Sequence, residues 1–131
     1  LWPSRNIQVM VAGGTIRPID GGIIGSSTEE FISSFKLDYA IIGCSAIDDS
    51  GEILEYDLRE VRVTKAIIRQ ARIVILVTDS MKMKRTAPVK VGTLEDIDIL
   101  VTDNNIAPEF MDLCLKNNVD VKLVKPSVNR D

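Results

Sequence analysis

Arg72-Ile73-Val74-Ile75-Leu76-Val77-Thr78-Asp79-Ser80-Met81-Lys82-Met83-Lys84 decides how the rest of the chain is read. Ile73 to Val77 is unbroken aliphatic sequence without polar alternation. Such a strand predicts burial on both faces, in the middle of a parallel sheet flanked by helices. The run stops at Thr78-Asp79-Ser80, with Lys82 just beyond. Ligands of open α/β sheets bind past the carboxyl ends of the strands. A carboxylate, two hydroxyls and a lysine at that place suit a small phosphorylated polyol. A plainer account is equally open on these residues alone, with Asp79 capping the next turn and Lys82 solvated.

Composition narrows the classes. The chain has 131 residues, enough for one domain with a real core. At 45% hydrophobic and 27% charged it reads as a globular protein. Apolar runs are strand-sized, so no membrane association is expected. No basic-then-apolar leader precedes the first strand-like run, and Cys44 and Cys114 lack CxxC or zinc spacing. Reduced thiols and a cytoplasmic location follow as expectations. A net charge of -3 argues against this chain itself gripping nucleic acid. Its nearest basic cluster, Lys82, Lys84, Arg85 and Lys90, is no more than a local anion site or a solvated loop. With 0 His, Ser-His and Cys-His nucleophile pairs and histidine metal sites are excluded. Chemistry would fall to carboxylates and lysines, and neither a metal nor a cofactor is expected.

In chain order, Ile7 to Ala12 reads as a strand reaching Gly13-Gly14. A parallel strand so near Leu1 suggests a fold that begins upstream and a chain that is a fragment. Ile19-Asp20-Gly21-Gly22-Ile23 carries an Asp-Gly hairpin signal; the glycines there also offer bare amides to a phosphate, though without GxGxxG or Walker spacing. Ser26-Ser27-Thr28-Glu29-Glu30 offers two capping boxes, Ser26 with Glu29 and Ser27 with Glu30. They open a short helix burying Phe31, Ile32 and Phe35. Leu37 to Gly43 is a second buried strand, and Asp49-Ser50-Gly51 a turn.

Asp57 to Ala71 predicts the longest helix, with Val61, Val63, Ile67, Ile68 and Ala71 on one face. Glu60 lands within that apolar face. There it must find a partner or a polar pocket, unless it merely profits from the helix dipole at the solvent edge. Met81 to Val91 reads as an irregular loop, Ile97 to Val101 as a strand ending in Thr102-Asp103, and Pro108 as the first turn of a helix burying Phe110, Met111, Leu113, Cys114 and Leu115. Asn117-Asn118 ends that helix, Val119 to Val124 is a last strand, and 126–131 a polar tail. The order predicts an α/β fold, an open and mostly parallel sheet with helices on both faces.

Several of these pieces together are similar to a known pattern. They are Val11-Ala12-Gly13-Gly14 with Arg17, Gly22-Ile23-Ile24-Gly25, Asp38 to Gly43, Ile47-Asp48 through Gly51, Glu60-Val61-Arg62, Asp79-Ser80-Met81-Lys82, and Asp98 to Asp103. In this order they resemble the effector-binding domain of DeoR-family bacterial transcriptional repressors. The resemblance covers nearly the whole chain. It implies the fold shared by ribose-5-phosphate isomerase and the coenzyme A transferases. Asp20 to Gly25 and Asp57 to Arg62 resemble the branch governing glycerol 3-phosphate use, which implies that compound as inducer. The resemblance further implies that 1–125 is an effector-binding unit whose first strand-helix unit, with a phosphate loop, and winged helix-turn-helix DNA-binding domain lie upstream. Where the family usually reads Asp-x-Ser-Lys, this chain has Ser80-Met81 before Lys82.

Carried over by position, Lys82 would pair with the phosphate. Gly13, Gly14 and Arg17 would line its approach, Ser45 would donate to it, and Asp79 and Glu60 would accept from ligand hydroxyls. The implied partners are a phosphorylated small molecule, operator DNA through the upstream domain, and further copies of the chain. The alternative is a sugar-phosphate isomerase-like enzyme with Glu60 or Asp79 as general base and Lys82 beside it.

Overall fold

Gly21, at φ 74, closes the turn of the first hairpin among the described residues. Its amide donates to the Arg17 carbonyl at 2.9 Å, and the Arg17 amide to the Gly22 carbonyl at 2.8 Å. These bonds join β1 (Thr15–Ile16) to the antiparallel β2 (Ile23–Ile24), the hairpin that Asp20-Gly21 predicts. The structure, a computed structural model, describes residues 5–125. After the hairpin come α1 (Ser26–Ser33), β3 (Leu37–Ile42), β4 (Ala46–Ile47), β5 (Glu52–Glu55), α2 (Leu58–Gln70) and β6 (Ala71–Val77). A 3-10 turn (Ser80–Lys82), β7 (Val89–Thr93), a second 3-10 turn (Leu94–Asp96), β8 (Ile99–Asp103), α3 (Pro108–Lys116) and β9 (Asp120–Val124) complete it.

The aliphatic run is β6, and it lies inside a parallel sheet ordered β3-β6-β8-β9 with helices flanking it. Ile42, Val74, Leu76 and Leu100 point from this sheet into the main core, where Val61 of α2 and Phe110 and Cys114 of α3 meet them. Coverage of the strand is unequal. Val74 and Leu76 are buried, whereas Val77, on the alternate face, is 46% exposed, and Tyr39 and Ile41 of β3, opposite Ile73 and Ile75, are exposed too.

A second sheet escapes the sequence reading. β4, β5 and β7 form an antiparallel sheet over the same core, to which Ile47, Ile53 and Val91 contribute. Met81 to Val91, read as an irregular loop, therefore holds a 3-10 turn and the start of a strand. Its strands are 2, 4 and 5 residues long. The β5–β7 register slips between Ile53 and Leu54, which erases the alternation that would have revealed it.

Other differences have local causes. Ile7 to Ala12 belongs to no strand and is largely exposed, because no neighbour among the described residues pairs with it. Neither Ser26 nor Ser27 caps α1: the helix starts from Gly25, at φ 120, without a side-chain cap. The hydroxyl used is that of Thr28, which donates to the Gly13 carbonyl at 2.7 Å. Leu115 is 64% exposed rather than buried, while Phe110 and Cys114 carry the inner face of α3. The strand read at Ile97 to Val101 runs from Ile99 to Asp103. The long helix is nearly as read, with Asp57 as its cap accepting the Arg59 amide at 2.8 Å. The tail 126–131 lies outside the described residues.

Candidate functional site

Arg17 is a buried arginine, 8% exposed, at the foot of the hairpin. Its Nε donates to Asp20 Oδ1 at 3.1 Å, and its Nη2 to Asp20 Oδ2. Nη1 lies 3.1 Å from Asp57 Oδ2 and 2.9 Å from Glu60 Oε2. The partner demanded by a carboxylate on the apolar side of α2 is thus an arginine from the turn of the β1–β2 hairpin. The Asp20 hydrogen bond holds the guanidinium above its ordinary range and the Asp20 carboxyl below its own. Asp57 is also held low, first by Arg59. Glu60 is pushed up, chiefly by burial and then by nearby Glu55, with Arg17 opposing.

These groups line an open cleft of about 580 Å³ with Ser45, Glu55 and Tyr56. Ser45 follows the end of β3, and its hydroxyl donates to Glu55 Oε2. Glu55 ends β5 and is only 7% exposed. The cleft wall carries one guanidinium against four carboxylates, Asp20, Glu55, Asp57 and Glu60.

Asp79 and Lys82 stand beyond the carboxyl end of β6. Asp79 Oδ1 accepts the Met81 amide at 2.9 Å, so this carboxylate caps the 3-10 turn. Lys82, in that turn, is half-buried, and among the described residues no carboxylate lies within ion-pair distance of it. A parallel bridge between Met83 and Ile47 lays the Lys82 turn beside the segment that includes Ser45. Cys44 feels both groups: Glu55 and Asp79 push its thiol up and Lys82 pulls it down. Burial, the largest effect, pushes that thiol up, and a contact of 3.6 Å with Thr78 Oγ1 pulls it back. Farther along the sheet, Thr78, Asp79, Thr102, Asp103 and Lys125 border a second cleft of about 450 Å³.

The structure therefore brings Arg17, Ser45 and Glu60 into one cleft, while Asp79 borders the second cleft and Lys82 lines neither. Gly13 and Gly14 do not line it. A Cβ on Gly14, at φ 150, would meet Thr28 Oγ1 at 2.1 Å and the Ile24 carbonyl at 2.7 Å. That glycine allows the hairpin and α1 to close on each other. Asp20, Asp57 and Glu55 were missed as site residues. The first two had local signals, a turn aspartate and a helix cap, but Glu55 had none: it is one charged residue in a short, irregular strand. Among the described residues no cluster of three or more metal-binding side chains occurs, and no helix is long and apolar enough to cross a membrane.

Residues 1–104 match the family model described as the DeoR C-terminal sensor domain. The chain belongs to that family. The chain is 39% identical to the glycerol-3-phosphate regulon repressor of Escherichia coli K12 over 94% of its own length and 49% of that protein. It is 46% identical to the repressor of the same name from Haemophilus influenzae, over 78% of this chain and 40% of that one. To the HTH-type transcriptional repressor CsqR of Escherichia coli K12 it is 36% identical, over 79% and 40%. The chain spans about half the length, or less, of these curated relatives.

Proposed function

We propose that this DeoR sensor domain binds a phosphorylated polyol, with glycerol 3-phosphate the best candidate, and serves as the effector-binding unit of a transcriptional repressor. The observation that carries the reading is the separation of charge along the strand ends. Lys82, a cation without a carboxylate in ion-pair distance among the described residues, sits in a turn that the Ile47–Met83 bridge ties to the segment carrying Ser45, whose cleft is lined chiefly by hydrogen-bond acceptors. A phosphate meets the point charge of Lys82, while hydroxyls donate to Glu55 and Glu60. Asp79 keeps one oxygen free of its capping bond. Arg17, saturated by carboxylates, positions Glu60 rather than meeting the phosphate, and Gly13 and Gly14 support the hairpin that carries Arg17. Relatives named for the glycerol-3-phosphate regulon support the choice of a three-carbon ligand.

In this reading the domain acts on operator DNA through a winged helix-turn-helix elsewhere in a longer, oligomeric protein. Effector binding shifts the population of its subunit arrangements, by differential affinity for two states. Calorimetric titration with glycerol 3-phosphate, glycerol and fructose 6-phosphate tests it. Expected is binding that needs the phosphate, prefers the three-carbon ligand and is lost in Lys82→Ala. Binding of glycerol as tight as that of its phosphate, or an undiminished response in Lys82→Ala, overturns it. Incubation with ribose 5-phosphate is expected to leave the sugar unchanged; turnover sinks the sensor reading in favour of an isomerase.

A further inference from the structure

Glu55 is the group in the cleft with the least to hold it. It is 93% removed from solvent by its 7% exposure, yet it lines the cavity. Ser45 supplies one hydroxyl donor to Oε2, and no ion pair reaches it among the described residues, because Arg17 is taken by Asp20, Asp57 and Glu60. A buried carboxylate without a cation is costly unless hydrogen-bond donors surround it. An ionised carboxylate only accepts, and its two oxygens have room for several donors. A ligand presenting hydroxyl groups supplies the missing donors. A ligand presenting a second anion meets Glu55 and three further carboxylates instead. The partial neutralisation by Arg17 leaves the wall acidic.

Resting on the phosphorylated-polyol reading above, we infer that Glu55 determines specificity. It takes the hydroxyls at the uncharged end of the ligand and turns away phosphorylated acids. The phosphate is met by Lys82, whose turn the Ile47–Met83 bridge holds against the segment that follows Ser45. The cleft thus distinguishes a polyol phosphate from its oxidised counterpart, which has the same length and the same phosphate but ends in a carboxylate.

Titration of the chain with glycerol 3-phosphate and 3-phosphoglycerate tests this directly. The wild type is expected to prefer glycerol 3-phosphate by roughly a hundredfold, the scale of like charges brought together in a desolvated site. Glu55→Gln keeps the shape and removes the charge. It is expected to shrink that preference by about tenfold or more, a hydrogen bond to a charged group having been replaced by one to a neutral amide. Ser45→Ala, which frees Glu55 from its one donor, is expected to alter the same ratio and stands in if Glu55→Gln does not fold. Equal affinity of the wild type for both ligands, or an unchanged ratio in the folded variants, overturns the role of Glu55 while leaving the polyol-phosphate reading intact. Failure of the wild type to bind any phosphorylated ligand overturns both.

Discussion

Asp103 Oδ2 accepts the backbone N–H of Ser80 at 2.8 Å, tying the end of β8 to the turn that carries Lys82. Its other oxygen accepts the Asn105 amide at 2.8 Å. The two backbone donors, Ser80 first, hold the Asp103 carboxyl below its usual range. One side chain thereby fixes two loops at the carboxyl end of the sheet. Asp103→Ala is expected to loosen the Lys82 turn and weaken glycerol 3-phosphate binding roughly tenfold, the scale of one lost hydrogen bond. A structural role alone would leave affinity unchanged in protein that remains folded. Titration of Asp103→Ala and of Asp103→Asn, which keeps one acceptor and should recover part of the affinity, separates the two.

Arg17 joins the hairpin to α2 through carboxylates at both ends. Arg17→Met is expected to lower the melting temperature and to leave Asp20, Asp57 and Glu60 repelling one another. Arg17→Lys is expected to rescue little, since an ammonium cannot reproduce a planar fork shared among three carboxylates. The loss should depend on pH with a definite sign. Asp20 is held below its ordinary pKa first by Arg17 itself, so its contribution is present above about pH 4 and lost as pH falls further; Asp57 is held low first by Arg59, which the substitution leaves in place. Glu60 is raised by burial, and its contribution runs the other way, present below its unfolded value and lost as pH rises through the folded one. Thermal melts from pH 7 to pH 3 should show the gap between wild type and Arg17→Met narrowing on the acid side. A gap independent of pH would rule the carboxylates out as its cause.

Gly13 and Gly14 offer an internal control. A Cβ on Gly13 meets nothing within 4 Å, whereas one on Gly14 strikes Thr28 and the Ile24 carbonyl. Gly14→Ala is expected to cost about 1–3 kcal/mol and Gly13→Ala less than about 1 kcal/mol. Urea denaturation of the two variants checks the order. Equal losses would mean that the hairpin does not close on α1 as described.

Thr102 is 2% exposed, and its Oγ1 has no hydrogen-bond partner among the described residues. Thr102→Val keeps the shape and removes the orphan hydroxyl. It is expected to stabilise the fold by about 1 kcal/mol, the lower end of the cost of an unsatisfied buried group. Denaturation midpoints measure it directly, and a destabilised valine variant would show that the hydroxyl is satisfied in solution.

Much of the scaffold could be read locally. Asp20-Gly21 signalled the hairpin, Pro108 the start of α3, and Asn118, at φ 56, its end. The helix from Leu58 to Gln70 came from the spacing of Val61, Ile67 and Ile68, because helical periodicity survives wherever one face is buried. The antiparallel sheet did not. β4, β5 and β7 are short and irregular, and their burial depends on partners up to about forty residues away in sequence, as Glu52 on Thr93. Ser26 and Ser27 had the pattern of caps, yet Thr28 met Gly13 instead, a choice made by the approach of the hairpin.

By itself, then, the sequence determined the parallel α/β order, the strand ends where small polar groups gather, and the absence of histidine chemistry. It also flagged that Glu60 needed a partner. Only the tertiary structure decided that the partner is Arg17, that Asp79 caps a turn while Lys82 meets no carboxylate among the described residues, and that Glu55 lines the cleft. The physical reason is range. Periodicity, caps and turns follow from bonds between near neighbours in the chain, whereas ion pairs and buried carboxylates depend on which distant segments share one small volume.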